Sequence, residues 1–138
     1  MKVNSEQEML NLGEEFAKKC QTPKDFATVI ELIGDVGAGK TTFTRGLAKG
    51  LEIEKAITSP SFTIAKSYAL SSGGTFVHYD FYRLPDPGIM IEDLEENLKD
   101  SRNIIVIEWG ETVAELLPKN HYKITINYND DGSREVTI

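Results

Sequence analysis

The stretch Gly34-Asp35-Val36-Gly37-Ala38-Gly39-Lys40-Thr41 fits G-x-x-x-x-G-K-[ST] in full. Each residue type has a chemical reason. Glycines allow backbone angles that aim successive N–H groups inward and make an anion nest. A following helix would add its positive N-terminal end. Lys40 can reach β- and γ-phosphates, and the Thr41 hydroxyl is a hard oxygen ligand suited to Mg²⁺. Thr42 can contact an α-phosphate or hydrogen-bond its own helix terminus. Gly37, Ala38, Gly39, Lys40, Thr41 and Thr42 are therefore candidates for holding a nucleotide's phosphates.

Such a cradle normally works with an acid at the end of a neighbouring strand. Two residues qualify. Glu108 closes the apolar run Ile104-Ile105-Val106-Ile107, and Asp80 closes the alternating run Phe76-Val77-His78-Tyr79. A carboxylate at a strand's C-terminal end faces the crevice where α/β sheets bind ligands. The simpler readings are a solvated strand end for Glu108 and a turn-capping Asp for Asp80. Spacing does not decide which acid would bind Mg²⁺. Glu108 is the first choice for the metal, Asp80 for the metal's outer surroundings or an attacking water.

Other side chains have two readings each. His78 lies one strand period from Asp80 and can share its face, or can be a hydrogen-bonded structural histidine, which is the simpler view. Arg83 can reach a γ-phosphate or form a surface ion pair. Trp109 can wall a nucleotide pocket or belong to the core. Arg134 can stack on adenine, which puts it among the nucleotide-binding candidates, or can simply be solvated.

The elements that must position these residues are legible from periodicity. Ser5 and Glu8 form a capping box ahead of Met9, Leu12, Phe16 and Cys20, one apolar helix face that ends before Pro23. Residues 26–33 read as a strand buried on both faces. Residues 42–49 read as the helix after the glycine loop, closed by Gly50 as a left-handed stop. Residues 61–70 and 75–84 read as a hairpin across Ser71-Ser72-Gly73-Gly74. Ile91, Leu94 and Leu98 mark a helix with an acidic outer face, and residues 103–109 a second buried strand. A short helix at 112–117 and a hairpin of 122–128 with 134–138 complete the pattern. The expected fold is α/β: a single P-loop NTPase-like domain over residues 1–138, with a mixed sheet flanked by helices.

Composition narrows the partners. The chain of 138 residues carries 15 Lys and Arg against 22 Asp and Glu, a net charge of −7. That balance is poorly suited to gripping a phosphate backbone, so any nucleic acid would be held by another protein. A lone Cys20 excludes an internal disulfide and a multi-cysteine zinc site. No leader-like segment or membrane-length apolar run is evident, so a soluble cytoplasmic protein is expected.

Four blocks give the sequence a specific likeness: the loop 34–43, Ser59-Pro60-Ser61-Phe62, His78-Tyr79-Asp80-Phe81-Tyr82-Arg83-Leu84, and Ile107-Glu108-Trp109. In order and spacing they resemble the TsaE family, small bacterial ATPases of tRNA threonylcarbamoyladenosine biosynthesis. The departures are Val36 where the family more often has Leu, Ser61 where it has Thr, and Gly110 where it has Pro. The resemblance implies ATP and Mg²⁺ as cofactors and TsaB and TsaD as partners, with tRNA reached only through that complex and no membrane involved. It implies Lys40 on phosphate, Thr41 and Glu108 on Mg²⁺, Asp80 near the γ-phosphate, and a switch-like loop at 59–62. ATP hydrolysis would reset the complex between turnovers. Lys40, Asp80 and Glu108 are the expected catalytic residues. The absence of N-K-x-D and D-x-x-G elements after the loop favours adenine over guanine. A nucleotide-gated scaffold and a small-molecule kinase are the alternatives.

Overall fold

The computed structural model describes residues 1–20, 25–58, 64–82 and 88–138, with Ile89 described in its backbone only. The Ser59–Phe62 block and Arg83 lie outside the described residues. In chain order the strands and α-helices are β1 (Lys2–Val3), α1 (Glu6–Lys19), β2 (Thr28–Ile33), α2 (Lys40–Gly50), β3 (Ala65–Ala69), β4 (Thr75–Asp80), α3 (Ile89–Leu98), β5 (Ile104–Glu108), β6 (Tyr122–Tyr128) and β7 (Arg134–Thr137). A 3-10 helix spans Gly110–Leu116. No helix among the described residues is long and apolar enough to cross a membrane.

The chain forms two compact units. The first gathers Met1–Cys20, Leu32–Ser59 and Lys123–Ile138. Its strands follow the order β1-β7-β6, with β6 and β7 antiparallel and Tyr128 opposite Arg134. β1 pairs antiparallel with β7; at two residues it is too short for periodicity to show.

Helix α1 starts where the capping box says. The Glu8 N–H donates to Ser5 Oγ at 3.1 Å, and the Glu8 carboxylate returns to the Asn4 N–H at 2.7 Å. Met9, Gly13 and Phe16 are buried, and the Phe16 and Phe43 rings lie 6.0 Å apart. The two helices meet on glycine. A Cβ at Gly46 would stand 2.2 Å from Leu10 O, and one at Gly13 would stand 2.3 Å from Phe43 O. Gly50 corrects the sequence reading. It is the last residue of α2 rather than a left-handed stop, and a Cβ there would stand 2.7 Å from both Ala17 Cβ and Glu14 O. Its lack of a side chain serves helix contact, which local sequence does not reveal.

The second unit gathers Gln21–Glu31 and Pro60–Tyr122, with strand order β2-β5-β4-β3. β3 is antiparallel to β4, while β4 is parallel to β5. The sheet is therefore mixed and the class α/β, as expected. The hairpin turn closes with Leu70 N–H on Gly74 O at 2.9 Å, and Gly73 takes φ +100°.

Strand alternation sorts this sheet's side chains. Val77, Tyr79, Ile105 and Ile107 join Val29, Leu94, Leu98, Val113 and Leu117 in the core beneath α3 and the 3-10 helix. Phe76, His78 and Asp80 take the opposite face, with Ile104, Val106 and Glu108 beside them in register. Burying both faces explains why β5 reads as an unbroken apolar run.

Candidate functional site

The glycine loop leaves β2 at Gly34, where a Cβ would stand 2.4 Å from Ile126 O, so the chain turns tightly against β6. Gly37 and Gly39 then take φ +80° and +114°, the left-handed region that costs glycine little. Gly39 is the residue before α2 and offers no side-chain cap, and the first turn of α2 holds no acid. The contrast with α1, capped by Ser5 and opened by Glu6 and Glu8, is chemical. The positive end of α2 is left to an anion from outside the helix. Phe43 N–H to Gly39 O, at 2.9 Å, is the first bond of the helical ladder. The N–H groups of Lys40, Thr41 and Thr42 precede it and have no acceptor within the helix.

Lys40 is buried, at 6% exposure. Its ammonium donates to Gly34 O and, at 3.2 Å, to Asp35 O, so the cation is held inside the loop. Thr44 Oγ1 donates to Lys40 O at 2.8 Å. Thr41 is half-buried.

A cavity of about 360 Å³ adjoins the loop. Gly37, Ala38, Gly39 and Thr42 form one wall, and Arg134 stands on another, so five of the sequence candidates meet around one space. Lys40 and Thr41 are not in its lining. Arg134 is anchored rather than solvated. Its Nε donates to Ala38 O at 3.0 Å, one terminal nitrogen donates to Gly132 O at 2.7 Å, and the guanidinium lies 3.9 Å from the centre of the Tyr128 ring. Tyr128 also donates its hydroxyl to Gly37 O. Sequence reasoning missed Tyr128, although counting across the 129–133 turn pairs it with Arg134. It also missed Asn4, Ser5 and Met9, which line the cavity but belong to the chain's start.

The loop fits a nucleotide's phosphates, because it supplies a helix terminus without a side-chain cap and a lysine on the same turn. The hard-oxygen candidates fit Mg²⁺. Among the described residues no three His, Cys, Asp or Glu side chains converge, and Mg²⁺ in nucleotide sites commonly takes one or two protein oxygens with substrate phosphates.

The two acids belong to the second unit, where Asp80 and Glu108 are register partners on parallel strands. Asp80 Oδ1 accepts from Tyr82 N–H at 2.9 Å, the turn-capping contact that the sequence offered as its simpler role. Glu108 is not a solvated strand end: it is 4% exposed, and its Oε2 lies 2.5 Å from His78 Nε2. His78 is wholly buried. Trp109 packs on the core cluster, takes φ +56° and lies 4.7 Å from the Tyr82 ring.

A strand, a glycine turn at positive φ and an uncapped helix opening on Lys-Thr define a P-loop, nucleotide-binding type of protein. The description "Threonylcarbamoyl adenosine biosynthesis protein TsaE" matches over residues 3–136, and the chain belongs to the TsaE family. Two relatives named tRNA threonylcarbamoyladenosine biosynthesis protein TsaE show the likeness. The Streptomyces coelicolor protein is 39% identical over 135 residues, covering 94% of this chain and 88% of its own. The Haemophilus influenzae protein is 38% identical over 137 residues, covering 94% of this chain and 82% of its own. The crystal structure of Bacillus subtilis YdiB superposes with a TM-score of 0.73 at 28% identity, covering 99% of this chain and 80% of that one.

Proposed function

We propose that this chain binds ATP with Mg²⁺ and hydrolyses it, as the ATPase of tRNA threonylcarbamoyladenosine biosynthesis, acting in the cytoplasm with TsaB and TsaD to reset their complex between turnovers. The observation that carries the reading is the uncapped N-terminus of α2 behind Gly37 and Gly39, with Lys40 on its first turn. The names of the relatives supply the pathway.

In this reading the main-chain N–H groups around residues 37–42 bind the phosphates, and Lys40 gives up its carbonyl partners for β- and γ-oxygens. The cavity beside Arg134 takes the nucleoside. Thr41 and Glu108 are the proposed metal ligands, and Asp80 orients the attacking water. Mg²⁺, when bound, neutralises charge on the phosphate oxygens. Since the protein forms no covalent bond to the substrate, its contribution is placement and charge.

Hydrolysis by the chain alone should be slow. Of its four arginines, Arg45, Arg102 and Arg134 each bond within the chain, to Ile57 O, Asp100 and Ala38 O, and Arg83, the γ-phosphate candidate, lies outside the described residues. A transition-state arginine is worth roughly 10³–10⁵ in rate. Phosphate release should therefore rise when TsaB and TsaD, and then tRNA, are added. Lys40→Ala should abolish both ATP binding and turnover. Equal rates with and without the partners, or a Lys40→Ala variant that still turns over, would refute the proposal.

A further inference from the structure

The His78–Glu108 contact points to more than a buried hydrogen bond. The two residues stand on parallel strands, two register steps apart on one face. His78 Nε2 lies 2.5 Å from Glu108 Oε2, both side chains are almost wholly buried, and His78 Nδ1 is buried with no hydrogen-bond partner among the described residues. The tautomer with its proton on Nε2 fits these facts best. A proton on Nδ1 would be a buried donor without an acceptor, and it would leave the Nε2 lone pair facing carboxylate oxygen. A proton on Nε2 donates to Glu108 and leaves Nδ1 as a bare nitrogen.

The carboxylate needs such a partner. Glu108 is the last residue of β5, and the next residue, Trp109, leaves the strand at φ +56°. The strand pairing holds its main chain, with Phe81 N–H on Glu108 O at 3.1 Å, and leaves the direction of the carboxylate to side-chain contacts. A ring locked in the sheet can set that direction, as carboxylates that ligate metals are themselves held by hydrogen bonds.

We propose that His78 is the positioning residue for Glu108, its Nε2–H aiming the carboxylate for a divalent cation. This rests on the reading of Glu108 as the Mg²⁺ ligand. Imidazole ¹⁵N–¹H correlation spectra of the full chain, free of nucleotide, should show His78 with its proton on Nε2 and Nδ1 bare. A proton on Nδ1 overturns the proposal.

Two variants separate positioning from packing. A glutamine amide can reach the place of ring Nε2, whereas an asparagine amide reaches only that of Nδ1. ATP affinity in EDTA should stay within about twofold of wild type in both. The Mg²⁺ concentration that half-saturates the tightening of ATP binding should rise about 10–100-fold in His78→Asn and return to within a few-fold in His78→Gln. Equal behaviour of the two, or wild-type Mg²⁺ dependence in His78→Asn, overturns the proposal. Thermal melts report whether each variant is folded; if His78→Asn is not, the tautomer and His78→Gln decide. Glu108→Gln tells the two failures apart. If it leaves Mg²⁺ dependence unchanged, the ligand reading itself fails. If it shifts that dependence while His78→Asn does not, only the positioning role fails.

Discussion

Replacing Gly46 by alanine sets two effects of known size against each other. In an isolated helix the change would stabilise by about 1 kcal/mol, because glycine is the poorer helix former. In this protein the new Cβ would stand 2.2 Å from Leu10 O and 3.0 Å from Gly13 Cα, both backbone atoms of α1. Ordinary contact begins near 3.4 Å, so α1 must withdraw on the order of 1 Å. Withdrawal also loosens the Phe16–Phe43 contact. Overpacking of this kind costs about 1–3 kcal/mol and more when backbone must move. The clash is with backbone, so the upper part of that range applies, about 2–3 kcal/mol, and the net should be a loss of about 1–2 kcal/mol, or roughly 3–10 °C in melting temperature for a chain of this size. Urea titrations followed by circular dichroism give the free energy. Calorimetric titration with ATP gives a second reading: Ser5 and Met9 of the same helix region line the cavity, so affinity should fall several-fold. A variant as stable as wild type, or more so, would show that α1 is free to adjust and would refute the close-packing account.

Two further outcomes follow from buried or anchored polar groups. Tyr79 is buried and donates to Asp93 at 2.6 Å, and burial first, then Asp93, pushes its pKa far above the usual tyrosine value. The proton is held more tightly in the folded state. Its stabilising share is thus complete below pH ~10 and is lost as pH rises further, at up to about 1.4 kcal/mol per pH unit. Tyr79→Phe should flatten that alkaline fall while costing about 1 kcal/mol at neutral pH, and identical slopes in urea midpoints from pH 8 to 11 would contradict the assignment. Arg134→Ala removes the bonds to Ala38 O and Gly132 O, and ATP affinity should drop about 5–30-fold, by roughly 1–2 kcal/mol. Arg134→Lys should not restore it, because one ammonium cannot make the guanidinium's divergent contacts; an unchanged dissociation constant in Arg134→Ala would remove the residue from the site.

The local sequence determined the parts whose physics is local. The capping of α1 by Ser5, the hairpin turn at Gly73, the glycine loop and the buried strand β5 each rest on residues within a few positions of one another. So does the shared face of His78 and Asp80, which a period of two already states. Tertiary structure decided what depends on partners far along the chain. Gly50 looked like a helix stop because its neighbours suit one, yet the atoms that forbid a side chain there belong to α1. Arg134 looked solvated because nothing near it in sequence is a partner, yet Ala38 O lies 96 residues away and within 3.0 Å. Glu108 could be placed at a strand end facing the crevice, yet its buried partner His78 comes from β4, 30 residues off. Propensity and pattern describe what a segment favours, whereas the environment of a charge or a missing side chain is set by whichever segment folds over it.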